Sequence, residues 1–358
     1  MTDFLTGAGI VFSLEMRQRV RGIAWYVMLG VFFVLILLVT AILTIVSSVA
    51  TAGATDASSA GGGAFSVIIY FVLLLGTLVA PALSGNTING DRDSGTLATM
   101  QVTLVSNWQI VLGKFLAAWV TALAFLVAAL PFLIFTIVEG VRPLTIVVSV
   151  LVLALELGVV SAIGVGLSGL ITRPLFSIVV TYLVVAALSV GTLIGFGLGG
   201  LLLQSPTTTR VYSSTSMDED DVDEDGTAIE CTFEGVQRGT TPRFDRVWWL
   251  LAANPYVLLA DAVPADPTAD YPSDLFGSIT YGERSAQLAP ELNSTRNDCD
   301  LSSSSDSSTT YHHTLATTTP GWLVGLIVQL VVAAAAILGA GLRLRTPAGR
   351  LPAGSRIA

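Results

Sequence analysis

Lysine is nearly missing from this chain: of 17 basic residues among 358, only Lys114 is a lysine. Charge of either sign is scarce too, at 12% of residues against about a quarter in soluble domains. That shortage excludes an ordinary soluble domain. The 53% apolar content and a mean hydropathy of +0.74 point instead to an integral membrane protein. Histidine occurs twice, as adjacent His312 and His313 with no further ligand nearby, so no metal site is expected. The long apolar runs contain neither histidine nor aspartate, which excludes a zinc centre or an aspartate dyad for hydrolysis within a membrane.

What is present is a set of apolar runs. A helix of roughly 20 residues crosses the hydrocarbon layer, and lipid offers no partner to an unbonded backbone group, so helices are the expected form. Six runs qualify: Ala24 to Val46, Ala64 to Ser84, Phe115 to Val138, Leu144 to Ile171, Leu175 to Leu203 and Gly321 to Leu342. The first follows Arg17, Arg19 and Arg21 but is too long for a secretory signal, and five more follow it, so it reads as a retained anchor.

Short loops set the orientation through their Lys and Arg content. With the N-terminus inside, the cytoplasmic side holds Arg17, Arg19, Arg21, Arg92, Lys114, Arg173, Arg343, Arg345, Arg350 and Arg356, whereas the short outer loops hold only Arg142. The expectation is therefore a multi-pass protein of the cell membrane with both termini cytoplasmic. The long stretch 204–319 is then extracytoplasmic. It carries 19 acidic against 6 basic residues, while the rest of the chain has 7 against 11. An acidic, lysine-poor exterior keeps a protein soluble in concentrated salt, and a salt-loving archaeal host is expected.

The expected architecture is an all-α integral membrane protein. Residues 1–23 form a cytoplasmic interfacial helix whose arginines meet anionic headgroups, with membrane lipid as its partner. Residues 24–203 hold five spans, including a cytoplasmic loop at 85–114, and 204–319 form the acidic outer segment. Span six covers 320–342 and a cytoplasmic tail 343–358. Within the outer segment, the polar tracts "SPTTTRVYSSTSMDEDDVDEDG" and "SSSSDSSTTYHHTLATTT" lack the apolar residues for a core and are expected to stay in solvent. Between them, "RVWWLLAANPYVLLADAVP" is short for a crossing and is broken at Asn254-Pro255. Its tryptophans favour the headgroup level, so membrane-lying or re-entrant helices are expected near 244–263. Small residues recur at helical spacing as Gly158, Ala162, Gly166 and as Gly191, Gly195, Gly199. Such rows serve packing inside one bundle or a dimer seam, and spacing does not choose between them.

The most informative stretch is Gly90 to Lys114, "GDRDSGTLATMQVTLVSNWQIVLGK". After Asp91-Arg92-Asp93, the positions of Leu97, Met100 and Leu104 follow one helical face. The pattern breaks at Val105-Ser106-Asn107 and restarts with Trp108, Val111 and Leu112, giving two short amphipathic helices at the bilayer surface. This order, with Gly95-Thr96-Leu97 after the charged cluster and Ile110-Val111-Leu112-Gly113-Lys114 after the break, resembles the cytoplasmic loop of type 2 ATP-binding-cassette (ABC) transporter permeases. That family also has an N-terminal interfacial helix, six spans and cytoplasmic ends. The chain departs from it in having Asp91 where the family usually has Glu, and Thr103-Leu104 in place of a Thr-Pro pair.

The resemblance implies that this loop rests on a cytoplasmic ATP-binding subunit and that the chain pairs with a second permease half, as homodimer or heterodimer. Asp91, Arg92, Asp93, Gly95, Thr96, Leu97, Gly113 and Lys114 would form the coupling loop, with Lys114 snorkelling at the membrane boundary. Gly113-Lys114 lacks the earlier glycine and the following Ser or Thr of a phosphate-binding loop. No cofactor is therefore expected on this chain; ATP and magnesium belong to the partner subunit, and so does the ATPase activity. No nucleic-acid partner is expected.

Three further features stand outside the loop. Glu156 is the one acid well inside a span, and it either lines a pathway or holds a neighbouring helix as a protonated hydrogen-bond donor. Cys231 and Cys299, the only cysteines, both fall in the outer segment, where pairing is the expectation and free buried thiols the alternative. Asn293-Ser294-Thr295 fits a glycosylation acceptor. The reading that results is a permease subunit, exporting rather than importing. Its rivals are a membrane-anchored surface protein that works through the acidic segment in binding or envelope assembly, and an ion-coupled transporter, which would need inverted repeats and more intramembrane charge.

Overall fold

The computed structural model describes residues 2–51, 58–95, 106–138, 140–214, 231–264, 271–272, 274–297 and 307–344. Most of them are helical. An N-terminal helix α1 (Thr2–Val20) precedes span one, α2 (Ile23–Thr51), and span two, α3 (Ser58–Ser84). A short helix α4 (Thr87–Asp93) follows the second span. Span three is α5 (Asn107–Phe135) and span four α6 (Pro143–Leu170). Span five joins α7 (Pro174–Ala186) to α8 (Thr192–Leu202) through one π-helical turn, Ala187–Gly191, and span six is α13 (Gly321–Arg343). Among the described residues six helices are thus long and apolar enough to cross a membrane, and the chain is a multi-pass membrane protein by that measure.

Local chemistry accounts for several helix starts. Proline stands at the first helical position of α6 and α7, where its missing N–H costs nothing and its fixed φ suits the helix. At α5, Ser106 and Gln109 form a capping box: the Ser106 hydroxyl accepts from Gln109 N–H at 3.3 Å, and Gln109 Oε1 accepts from Ser106 N–H at 2.6 Å. This cap makes one continuous 29-residue helix that starts before the apolar run. Trp108, Val111 and Leu112 are therefore the first turns of span three rather than a separate surface helix. The Leu97, Met100 and Leu104 face lies outside the described residues.

Span four is the centre of the bundle. In its most apolar window 67% of residues are buried, against 17% in spans one and five, so those two hold the periphery and turn apolar faces outward, as lipid requires. The two rows of small residues separate on this basis. Gly166 lies at a close crossing, where a Cβ would stand 2.5 Å from the Ala336 carbonyl carbon of span six. Ala162 packs with Ala333 of the same span, and Gly158 faces Trp119 of span three. In the other row, Gly195 and Gly199 face Leu250 and Val247, and Gly191 meets only its own helix. Both rows pack within one chain.

The segment between spans five and six contains a sheet, which departs from the all-helical expectation. Strands β1 (Gln204–Ser214), β2 (Cys231–Pro242) and β3 (Asn293–Asn297) pair in the order β2-β1-β3, antiparallel on one side of β1 and parallel on the other. Glu234 is the extra residue of a bulge between the Val211↔Gly235 and Tyr212↔Phe233 pairs, and Gly235 adopts φ 152 there. The described half of the first polar tract is thus a strand. Its threonines, Val211 and Tyr212 are β-branched or aromatic, and such residues suit a pleated surface even when they are polar.

The rest of this segment packs onto the bundle as helices. Phe244–Arg246 forms a 3-10 turn, followed by α9 (Trp248–Ala252), α10 (Pro255–Ala262), α11 (Leu275–Ala286) and α12 (Ser307–Thr317). The second polar tract therefore does not stay in solvent over this helix: Tyr311 and Thr314, three residues apart, are buried, and the Tyr311 ring meets Tyr281 at 5.5 Å. Asn254, fully buried, holds the break between α9 and α10. Its side chain accepts from Tyr256 N–H at 2.9 Å and donates to Ser189 O and, at 3.0 Å, to Thr192 Oγ1 of span five.

Candidate functional site

Helices α1 and α4, the start of span three and the end of span six meet at one end of the bundle, called here the terminal end. Asn107 Nδ2 donates to Leu344 O at 2.8 Å, and Gln109 Nε2 donates to Phe4 O at 3.2 Å. Gly113 allows α1 to lie directly on span three, since a Cβ there would stand 2.7 Å from both Ala8 O and Val11 Cβ. The glycine expected in a coupling loop is thus the seat of the N-terminal helix.

Lys114 is fully buried. It does not snorkel, because carboxylates meet it inside. Its Nζ contacts Glu15 Oε1 of α1, lies 2.5 Å from Asp91 Oδ2 of α4, and donates to Thr87 O at 3.0 Å. Arg19 Nε stands 3.7 Å from Glu15 Oε2 on the same helix. One ammonium therefore binds the N-terminal helix, the helix after span two and span three to each other. Asp91 is used inward, in this cluster, and is not the free docking charge that its place in the sequence suggested.

Helix α4 is held from its other end by span four. Ser168 Oγ, fully buried, accepts from Ile88 N–H at 3.0 Å and from Asn89 N–H at 3.2 Å, which satisfies two N–H groups of the first turn. Arg92 Nη1 donates to Asn89 Oδ1 at 2.9 Å. The helix ends with Gly95 in the left-handed region, φ 70, where glycine carries no Cβ penalty. Asp93, Ser94 and Gly95 are exposed. The result is a short, pinned helix with a polar exposed tip; Thr96 and Leu97 lie outside the described residues.

A second ionic cluster occupies the far end of the bundle. Arg284 of α11 holds Asp261 of α10 through two bonds, Nε to Oδ1 at 2.7 Å and Nη2 to Oδ2 at 3.2 Å, and its Nη1 donates to Thr318 O at 3.1 Å. Asp261 Oδ2 also accepts from Trp322 N–H at 2.9 Å, at the start of span six. Glu283 Oε2 lies 3.6 Å from Arg284 Nε, and Glu283 packs against Gly321, where a Cβ would be 2.4 Å from its Oε1. Burial, then the nearby Asp261 charge, pushes the Glu283 carboxyl up to about 7, against the smaller opposing pull of Gln287 and Arg284.

The remaining candidates are dispersed. Glu156 is buried in span four, and its Oε1 has no hydrogen-bond partner among the described residues; Gln329, buried in span six, donates from Nε2 to Ala253 O at 3.2 Å. Asn293 is exposed in β3 opposite Thr208. Cys231 begins β2, and Cys299 lies outside the described residues. Among the described residues no three His, Cys, Asp or Glu side chains are grouped to hold a metal. Sequence reasoning missed Glu15, Ser168, Asp261, Glu283 and Arg284. A buried basic residue must find acids somewhere, and that requirement was the available signal for Glu15. No protein-family model matches the chain, and no curated protein matches it in sequence.

Proposed function

We propose that this chain is the membrane-spanning permease subunit of an ABC-type transporter, moving a substrate outward in response to ATP hydrolysis on a separate subunit. The observation that carries the reading is α4. A motor outside the membrane moves a bundle only through a stiff element whose contacts differ between two states. Helix α4 has the attributes of such an element: Ser168 ties it to the central span, Lys114 ties it to span three and the N-terminal helix, and its tip from Asp93 to Gly95 is exposed. The resemblance of Gly90 to Lys114 to the coupling loop of type 2 permeases supports the same reading. ATP and magnesium would be bound by the partner, and a second permease half would complete the pathway.

The test is to purify the full chain from its native membrane and assay for a co-purifying ATP-hydrolysing polypeptide. The expected result is an ATPase whose activity depends on the chain, with the dependence lost in an Arg92→Gln/Asp93→Asn variant that still folds. The rival reading, a surface protein anchored by its spans, gains support from the folded segment at the far end, with its sheet and helices α9 to α12. It predicts no bound ATPase and no effect of the α4 tip, so either finding would replace the pump.

A further inference from the structure

We infer that the hollow between the turn after span four and the end of span six is a binding site for the phosphate headgroup of an anionic phospholipid. The hollow has a volume of about 390 Å³ and is lined by Leu170, Ile171, Thr172, Arg173, Phe176 and Arg343. Two arginines thus line it, Arg173 from the α6–α7 turn and Arg343, the last residue of α13. Neither has an acidic partner within the protein among the described residues, and Arg343 lies within electrostatic reach of Arg92 as well. Two guanidinium groups without an acidic partner that line one hollow favour an anion between them.

The lining chemistry selects the kind of anion. Arginine offers a planar fork of donors that matches phosphate oxygens in pairs, and Thr172 adds a hydroxyl beside it. Arg173 is the N-cap of α7, whose first turn has no side-chain cap, so the helix terminus adds favourable potential at the same place. Leu170 is the last residue of α6 and Phe176 lies in the first turn of α7, and Phe176 and Leu175 are exposed. A free phosphate would leave that apolar wall to water. A phospholipid places its phosphate between the arginines at the membrane boundary and lays its acyl chain along Phe176. Basic hollows between spans are a known form of headgroup site. The inference does not depend on the pump reading.

The test uses the full chain in detergent micelles, titrated with phosphatidylglycerol or phosphatidylcholine and followed by native mass spectrometry. The wild type is expected to retain phosphatidylglycerol in preference, and Arg173→Gln/Arg343→Gln to bind it about 30-fold more weakly, from the contribution of two arginines near a headgroup. Arg173→Lys/Arg343→Lys, which keeps the charge but not the paired donors, should fall between the wild type and the glutamine variant, and Arg142→Gln, at the opposite end, should leave the preference unchanged. Helical circular dichroism confirms that each variant is folded. Equal retention of phosphatidylglycerol by the folded glutamine variant would overturn the site. Displacement of the lipid by millimolar inorganic phosphate alone would overturn its assignment to a lipid.

Discussion

The two buried ionic clusters are built from the same kinds of part but differ in charge balance. At the terminal end, Lys114 and Arg19 face Glu15 and Asp91, so cations and anions are equal. At the far end, Arg284 faces both Asp261 and Glu283, which leaves one negative charge over. Each cluster ties a helix outside the spans to the start of a span. The balanced one has no charge to spare, so it acts as a fixed joint. The unbalanced one can take up a proton, and Glu283 is where it goes. The difference teaches that charge balance, and not residue type, decides which joint can follow pH: the far-end one carries the surplus carboxyl, which burial pushes up to about 7.

The sharpest way to break the comparison is Lys114→Met. Removing one member of a buried pair leaves the others uncompensated, at a cost of about 3–5 kcal/mol. Two carboxylates would then face each other across three segments, and α1 and α4 would separate from span three. Thermal unfolding in detergent should show the largest fall of any single substitution here, with loss of protease resistance at α1. A variant that melts with the wild type would show that Lys114 is not a joint.

Asp261→Asn should cost less, about 1–3 kcal/mol, because the surplus acid replaces the lost one. Glu283 would become the partner of Arg284, and its carboxyl would return toward the ordinary range. The same melting experiment checks the ranking. If Asp261→Asn were as severe as Lys114→Met, the far-end cluster would have no charge to spare.

The pH response expected at the start of span six follows from Glu283. Its carboxyl is raised from 4.5 to about 7, so folding favours the protonated form. Its contribution is fully present below the unfolded value of 4.5 and is lost as pH rises through about 7. The groups that act on it are Asp261 on α10 and, on its own helix, Arg284 and Gln287, whose Nε2 donates to Glu283 Oε1 at 3.0 Å. Raising the pH from 5 to 8 should therefore loosen the start of span six, by on the order of 2 kcal/mol. Hydrogen exchange near Trp322 would detect it, and Glu283→Gln should abolish the dependence. An unchanged pH profile in that variant would assign the effect to another group.

Both clusters escaped sequence reasoning for one physical reason, which is that their members are far apart in the chain. Glu15 and Lys114 are 99 residues apart, and Asp261 and Arg284 are 23 apart. Hydropathy finds what is local. It placed span four at Leu144 to Ile171 where the helix is Pro143–Leu170, since an apolar run reports directly on transfer into lipid. It began span three at Phe115 instead of Asn107, because Gln109 and Lys114 look like boundary residues until their cap and ion partners are known. The sheet was invisible for a related reason. Its strands are polar, and Thr208 pairs with Asn293 across a long, acidic stretch whose composition alone suggests solvent.

The smallest expected effect on stability belongs to Asp93→Asn. The residue is exposed at the tip of α4, its neighbour Asp91 already serves Lys114, and surface substitutions of this kind usually lie within about 0.5 kcal/mol. Against that background a functional effect would stand out. If α4 transmits force from an ATP-hydrolysing partner, Asp93→Asn should weaken partner binding while leaving the melting temperature, and with it the Lys114 joint, unchanged. Asp91→Asn should lower both, since it disturbs the joint as well as the tip. The split between the two aspartates, read by melting and by pull-down of the partner, separates a docking surface from a structural cluster two residues away. If both variants reduced partner binding only in proportion to stability, the tip would have no role of its own, and α4 would be part of the scaffold.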